Sequence, residues 1–204
     1  MSNKFFKITK AAIKSIIVAF LFVIILGVFA FTIGKEKFAM VTYILQIMTV
    51  NKDAIQTVDP VLEGGVLTNY PTYGTKYATL KIPCINLEQP VYYGASYTIL
   101  KNGVAHDETS YFPGEGGSII YAGHNYSKFL ANLPNVPNDE KIIVETSYGI
   151  FEYKVVGSKI VKETATEEVP VQNENEMLMI YTCWPINNIG HATERFVLYA
   201  NAVK

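Results

Sequence analysis

The sequence has a single arginine, a single tryptophan, two cysteines and three histidines in 204 residues. Charged residues make up only 17% of the chain and the net charge is -1. The absence of a positive balance argues against nucleic acid as the partner. Two cysteines, Cys84 and Cys183, fall short of the disulfide framework usual in small extracellular domains. One bridge between them is neither required nor excluded. Internal repeats and low-complexity tracts are absent. What is plentiful is apolar and aromatic: 50% and 13% of residues. That composition excludes a disordered chain and supplies a core for one compact domain plus an anchor.

The charge is unevenly spread. Residues 1–34 carry Lys4, Lys7, Lys10 and Lys14 and no acid, which leaves thirteen basic against eighteen acidic groups beyond them. Ile16 to Gly34 is a run of nineteen residues without a charge. As a helix it would span about 28 Å, close to one hydrocarbon core. The lysines before it favour a cytoplasmic N-terminus, with the rest of the chain facing outward. The run is long for a cleaved signal peptide and no small-x-small site follows, so an uncleaved single-pass anchor is expected. A free thiol outside a cell then suggests a thiol with a task.

The expected organisation is a basic cytoplasmic N-terminus over 1–15, a membrane span over 16–34, a juxtamembrane helix and linker over 35–76, and a folded domain over 77–204. Pro60, Gly64, Gly65, Pro71 and Gly74 give 59–75 its linker composition. From Tyr77 onward the pattern is of short strands: 78–82, 89–93, 118–122, 141–145, 150–156, 177–182 and 195–203. In 150–156, Phe151, Tyr153 and Val155 alternate with Glu152 and Lys154, the mark of a half-buried strand. Residues 127–133 read as one or two helical turns, and 164–176 as a polar, acidic loop. The class is mainly β, a small barrel.

Cys183 ends the apolar strand MLMIYTC, where a fixed backbone opens into a reachable loop. A buried structural cysteine is the commoner fate of a free thiol. His124 also follows an apolar strand, SIIYAG, and is the kind of proton carrier a cysteine nucleophile needs. Arg195 stands alone against sixteen lysines. A guanidinium offers a planar, permanently charged fork that lysine cannot imitate. From the last strand it could reach a developing oxyanion, or simply form a strand-end ion pair with a neighbour such as Glu194. Trp184, beside the cysteine, shapes a groove or caps the core.

These motifs resemble the signature of sortases, the cysteine transpeptidases of Gram-positive cell walls. SIIYAGHN resembles the family's histidine strand, and IYTCW its T-L-x-T-C nucleophile strand, with Tyr181 where leucine is usual. Arg195, twelve positions after the cysteine, matches the family arginine. LKIPCINLEQPVYYGAS and FPGEGGS resemble its opening strands and the stretch before the histidine strand. The run TCWPINNIGHATERFVLYA is most similar to class D. Asp59-Pro60-Val61 lacks the aromatic of a pilin-polymerase lid, and the large extra helix of class B is not evident between Val156 and Met177.

The resemblance implies a closed eight-stranded β-barrel with short helices. It implies an LPxTG-like sorting signal on a secreted protein, attack by Cys183 on the Thr–Gly carbonyl, proton transfer by His124, and substrate or oxyanion contact by Arg195. The acceptor would be an amine of a cell-wall peptide or lipid-linked precursor. Thr182, Trp184, His191 and Asn125 are further candidates to touch substrate. No metal or organic cofactor is needed. Some relatives bind calcium near the loop before the nucleophile strand, where Glu163, Glu167, Glu168, Glu174 and Glu176 lie; a solvated acidic loop is the expectation. His106 precedes FPGEGGS and is not taken as the base, and Cys84 is placed in an early strand, in the core.

Two other readings compete. A papain-type hydrolase would place its nucleophile at a helix N-terminus, which lowers thiol pKa; Cys183 instead ends a strand and is followed by Trp184 and Pro185. A non-catalytic wall-binding β-module would not require Cys183, His124 and the only arginine together.

Overall fold

The computed structural model describes residues 18–27, 60–171, 175–188 and 190–203. The chain divides into two units, Met1–Ile44 and Leu45–Lys204. In the first, residues 18–27 are helical and their apolar side chains are exposed, Phe20 and Val23 among them. The remainder of the expected span and the expected juxtamembrane helix lie outside the described residues. Among the described residues, no helix is long and apolar enough to cross a membrane.

The second unit is a closed barrel of eight strands. They are β3 (Lys76–Ile82), β4 (Leu87–Tyr93), β5 (Val104–His106), β6 (Ser118–Gly123), β7 (Lys141–Thr146), β8 (Gly149–Lys162), β9 (Met177–Trp184) and β10 (Glu194–Ala202). A two-stranded hairpin, β1 (Leu62–Glu63) with β2 (Val66–Leu67), precedes them. Around the barrel the order is β10-β8-β7-β3-β4-β5-β6-β9, with β9 pairing back to β10. Two neighbours run parallel, β4 with β5 and β6 with β9. Closure leaves no edge for another chain to extend.

Alternation decides which side chains fill the barrel. On β3, Ala78, Leu80 and Ile82 are buried while Thr79 and Lys81 between them are half-exposed. On β8, Tyr153 and Val155 point inward and Lys154 outward. Strand β6 is buried at all six positions. Ile119 and Tyr121 join the interior. Ala122, on the other face, packs with Tyr92, Ala105 and Ile99 of the one-turn helix Tyr97–Leu100. A strand covered on both faces reads as a continuous apolar run, and SIIYA does.

Several sequence expectations are corrected. Residues 60–75 are not a free linker. Gly64 and Gly65, both at positive φ, turn the β1–β2 hairpin, and Leu67 is buried in the barrel core. Glu115 holds this segment down, accepting hydrogen bonds from Leu67 N (2.9 Å) and Tyr70 Oη (3.0 Å). Cys84 lies in an exposed 3-10 turn, Pro83–Ile85, not in a strand of the core. Both cysteines are free thiols. Strand β8 runs six residues past the expected end at Val156, because β10 pairs with its second half. The expected helix over 127–133 is a set of turns ending in a 3-10 turn, Leu133–Asn135. The short β5 was not anticipated.

Candidate active site

The pairing register sets Cys183 directly opposite Arg195 and the strand that leads into His124 beside the cysteine strand. Strands β6, β9, β10 and β8 are consecutive neighbours in the barrel. Gly123 at the end of β6 lies opposite Thr182 on β9. Arg195 on β10 lies directly opposite Cys183 on one side and Val161 of β8 on the other. Directly paired residues have Cα atoms about 4.5–5.5 Å apart and share a face. His124, one residue beyond the Gly123–Thr182 rung, follows its strand out beside Cys183. On β9, Leu178 and Ile180 fill the interior. Period-2 alternation therefore puts Tyr181 and Cys183 on the outer face, where Cys183 is half-buried.

The His124 loop is built to hold its ring still. Leu130 N donates to His124 O at 2.9 Å, and Phe129 N to Tyr126 O at 2.8 Å. Leu130 is fully buried against Gly123; a Cβ on that glycine would meet Leu130 Cδ1 at 2.6 Å. The imidazole rests between Tyr126 (centroids 6.0 Å apart) and Phe129 (5.7 Å). Burial among these rings disfavours the charged form and lowers the His124 pKa to about 4. At neutral pH the ring is therefore neutral and gives up an acquired proton readily.

Arg195 is held on the β8 side of its strand. Its Nη1 donates to the carbonyls of Ala192 (2.7 Å) and Glu194 (2.8 Å). Its Nη2 pairs with Glu163 Oε2 at 3.0 Å. The strand-end ion pair weighed as the alternative role of Arg195 is formed, with Glu163 as the acid instead of Glu194. Glu163 Oε1 accepts from His191 Nε2 at 2.9 Å, which places exposed His191 against the carboxylate.

The remaining candidates serve as braces. Thr182 is buried, and its Oγ1 donates to Gly123 O at 2.8 Å, tying β9 to β6 beside the nucleophile. Asn125 is also buried; its Nδ2 donates to Pro185 O at 2.9 Å and its backbone carbonyl accepts from Asn187 N at 3.1 Å. These two bonds clamp the histidine loop to the loop after the cysteine. Trp184 packs on Phe196, centroids 6.1 Å apart, against the core.

A groove of about 430 Å³ lies on the outer face beside Arg195. Its floor includes Ile120, Tyr181 and Val197, one from each of β6, β9 and β10. Val169, Pro170 and Val171 of the β8–β9 loop line it as well, and Arg195 stands among its lining residues. Cys183 comes one same-face step after Tyr181 on β9. Sequence reasoning had not picked out two tyrosines near the sulfur. Burial, and next the nearby Cys183 thiol, raise the pKa of Tyr126. Burial chiefly raises that of Tyr181, with Arg195 pulling it back. For Tyr181 the signal was present, two positions before the cysteine on a strand.

Glu163 is committed to Arg195 and His191, Glu168 to Lys159 at 2.7 Å, and Glu176 to Tyr153 and the N–H groups of Gly114 and Gly116. Glu174 lies outside the described residues. Among the described residues no cluster of three metal-ligating side chains occurs.

Comparison with known proteins identifies the family of the barrel. Residues 80–203 match the model of the sortase domain family. The chain is 34% identical over 133 residues to sortase D of Bacillus subtilis strain 168, covering 65% of this chain and 67% of that one. Among solved structures it is similar to a Clostridium perfringens sortase D5 transpeptidase, with TM-score 0.59, 22% identity, and 66% and 83% of the two chains covered. It is also similar to Clostridium perfringens sortase C, a structure described as having the C-terminal cell wall sorting motif, with TM-score 0.59, 24% identity, and 65% and 73% covered. At these identities the structural likeness speaks to the fold alone.

Proposed function

The chain belongs to the sortase family of cysteine transpeptidases, and we propose that it is a class D-like sorting enzyme which cleaves an LPxTG-like signal between Thr and Gly. The observation that supports this reading is the strand register, in which Cys183 lies opposite Arg195 and His124 directly follows the neighbouring Gly123–Thr182 rung, beside a groove whose lining includes Arg195.

In this mechanism the Cys183 sulfur attacks the threonine carbonyl carbon and the thiol proton passes to His124. The tetrahedral oxyanion is stabilised by Arg195, whose charge does not depend on pH. Collapse breaks the C–N bond, and His124 returns its proton to the departing glycine amine. Its lowered proton affinity favours that second transfer. A thioester links Cys183 to the substrate until an amine of a cell-wall precursor attacks, again with His124 as proton carrier. Covalent catalysis of this kind divides one difficult acyl transfer into two easier ones. The groove retains the acyl side throughout, while the amine side exchanges. Asn125 and Thr182 act through the loops they brace, Trp184 through the wall it builds, and no cofactor is required. Residues 16–34 anchor the chain in the cell membrane with the barrel outside.

The test is incubation of the full chain with a panel of sorting-signal peptides and mass detection of a thioacyl adduct on Cys183. Transfer of the acyl group to added amines supports transpeptidation. Hydrolysis alone under every amine tried, or no adduct with any peptide, overturns it.

A further inference from the structure

Arg195 is more tightly held than a free catalytic fork would be. Of its five N–H donors, the two on Nη1 go to the Ala192 and Glu194 carbonyls and one on Nη2 goes to Glu163. Among the described residues, the donor on Nε and the second on Nη2 have no protein partner. An arginine with three donors committed and two spare is a fork aimed by its neighbours. Two of those anchors are backbone carbonyls from its own side of the strand pair. The third, Glu163, comes from the turn that follows β8 and supplies the one side-chain anchor.

Glu163 is the first residue after β8. Its N–H donates to Thr193 O at 2.9 Å, so the entry of β10 and the start of the β8–β9 loop are stitched together at this point. Its carboxylate then accepts from two donors, with His191 Nε2 on Oε1 and Arg195 Nη2 on Oε2. The hydrogen bond from His191 lowers the Glu163 pKa, and the charge of Arg195 adds to it. The carboxylate therefore stays ionised, the form that binds a guanidinium best.

We propose that Glu163 is a positioning residue for Arg195, holding the guanidinium so that its two spare N–H donors face the reacting carbonyl at the end of the groove, with His191 as the second support of the same carboxylate. This rests on the transpeptidase reading above. Exposed ion pairs add little to stability, so the effect belongs to orientation. Misplacing a catalytic group by about 1 Å can cost about 100-fold in rate.

The experiment compares wild type, Glu163→Gln, Arg195→Lys and the double variant in full-length protein, measuring kcat and KM for peptide cleavage together with thermal unfolding. Glu163→Gln should lower kcat about 10- to 100-fold, leave KM and the unfolding temperature nearly unchanged, and lose its effect in the Arg195→Lys background. His191→Gln, which can still donate to Glu163, should fall by less. A Glu163→Gln enzyme as fast as wild type, or faster, overturns the proposal. So does an equal penalty in both arginine and lysine backgrounds, since that marks a role independent of Arg195. A wild type that forms no thioacyl enzyme removes the transpeptidase reading and this inference with it, whereas an active wild type with an unaffected variant removes this inference alone.

Discussion

The two faces of the barrel wall use polar side chains in opposite ways. Inside, His106 is fully buried and both ring nitrogens are bonded, Nδ1 to Tyr77 Oη at 2.8 Å and Nε2 to Ser110 Oγ at 2.9 Å. Tyr77 Oη continues to Tyr121 Oη at 2.8 Å. This network is saturated, and burial drives the His106 pKa down to about 3. Outside, Cys183 is half-buried and Arg195 keeps donors in reserve. Saturated polar groups in a low-dielectric interior specify the packing. Groups with spare capacity beside a groove are the ones able to meet a substrate. The same contrast separates the two cysteines, because exposed Cys84 sits in a 3-10 turn, whereas Cys183 sits on a strand directly opposite Arg195.

The sharpest way to break this comparison is Cys183→Ala. Cleavage and thioacyl formation should fall by at least about 10⁴-fold, with the fold retained; a persisting adduct, found by mass spectrometry, would move the nucleophile to Cys84. Next comes Arg195→Lys, expected to lose about 100- to 1,000-fold in kcat because charge without the fork stabilises the oxyanion poorly. Near wild-type turnover would reduce the arginine to a strand-end ion pair.

The interior supplies the smallest effect on rate. His106→Asn should cost about 1–3 kcal/mol in denaturant-measured stability by stranding Tyr77 or Ser110. Turnover per folded molecule should hold. The sign of its pH dependence follows from the lowered pKa. The unfolded chain takes up a proton near the ordinary value of 6.5, while the folded chain resists until about 3. Stability is therefore full above 6.5 and declines as pH falls below it, by about 1.4 kcal/mol per pH unit for one such group. The variant should lose one proton's worth of that slope between pH 6 and 4; an unchanged slope would mean His106 titrates normally.

Much of the barrel was legible in advance. Strands β3, β4, β6, β7, β9 and β10 announce themselves by apolar runs or alternation, since each faces the core along its whole length. The second half of β8 was not legible: Ser158, Lys159 and Ile160 are exposed, and the segment is a strand only because β10 lies beside it. The β1–β2 hairpin was hidden by its glycines and prolines, which suit a turn as well as a linker. Glu163 was legible only as one acid among several. Nothing local distinguishes it from Glu167, because its role depends on Arg195, 32 residues away.

By itself, then, the order of residues determined the class of fold, the strands that alternate, and the three residue types whose chemistry has no substitute in this chain. Those properties are local, written in side-chain polarity at spacings of two and in the scarcity of arginine. Tertiary structure alone decided which face Cys183 occupies relative to Arg195, how Glu163 and His191 constrain that arginine, and which histidine is sealed away. Each of these depends on strand register and burial, and register is set by the whole closed barrel, not by any one segment of it.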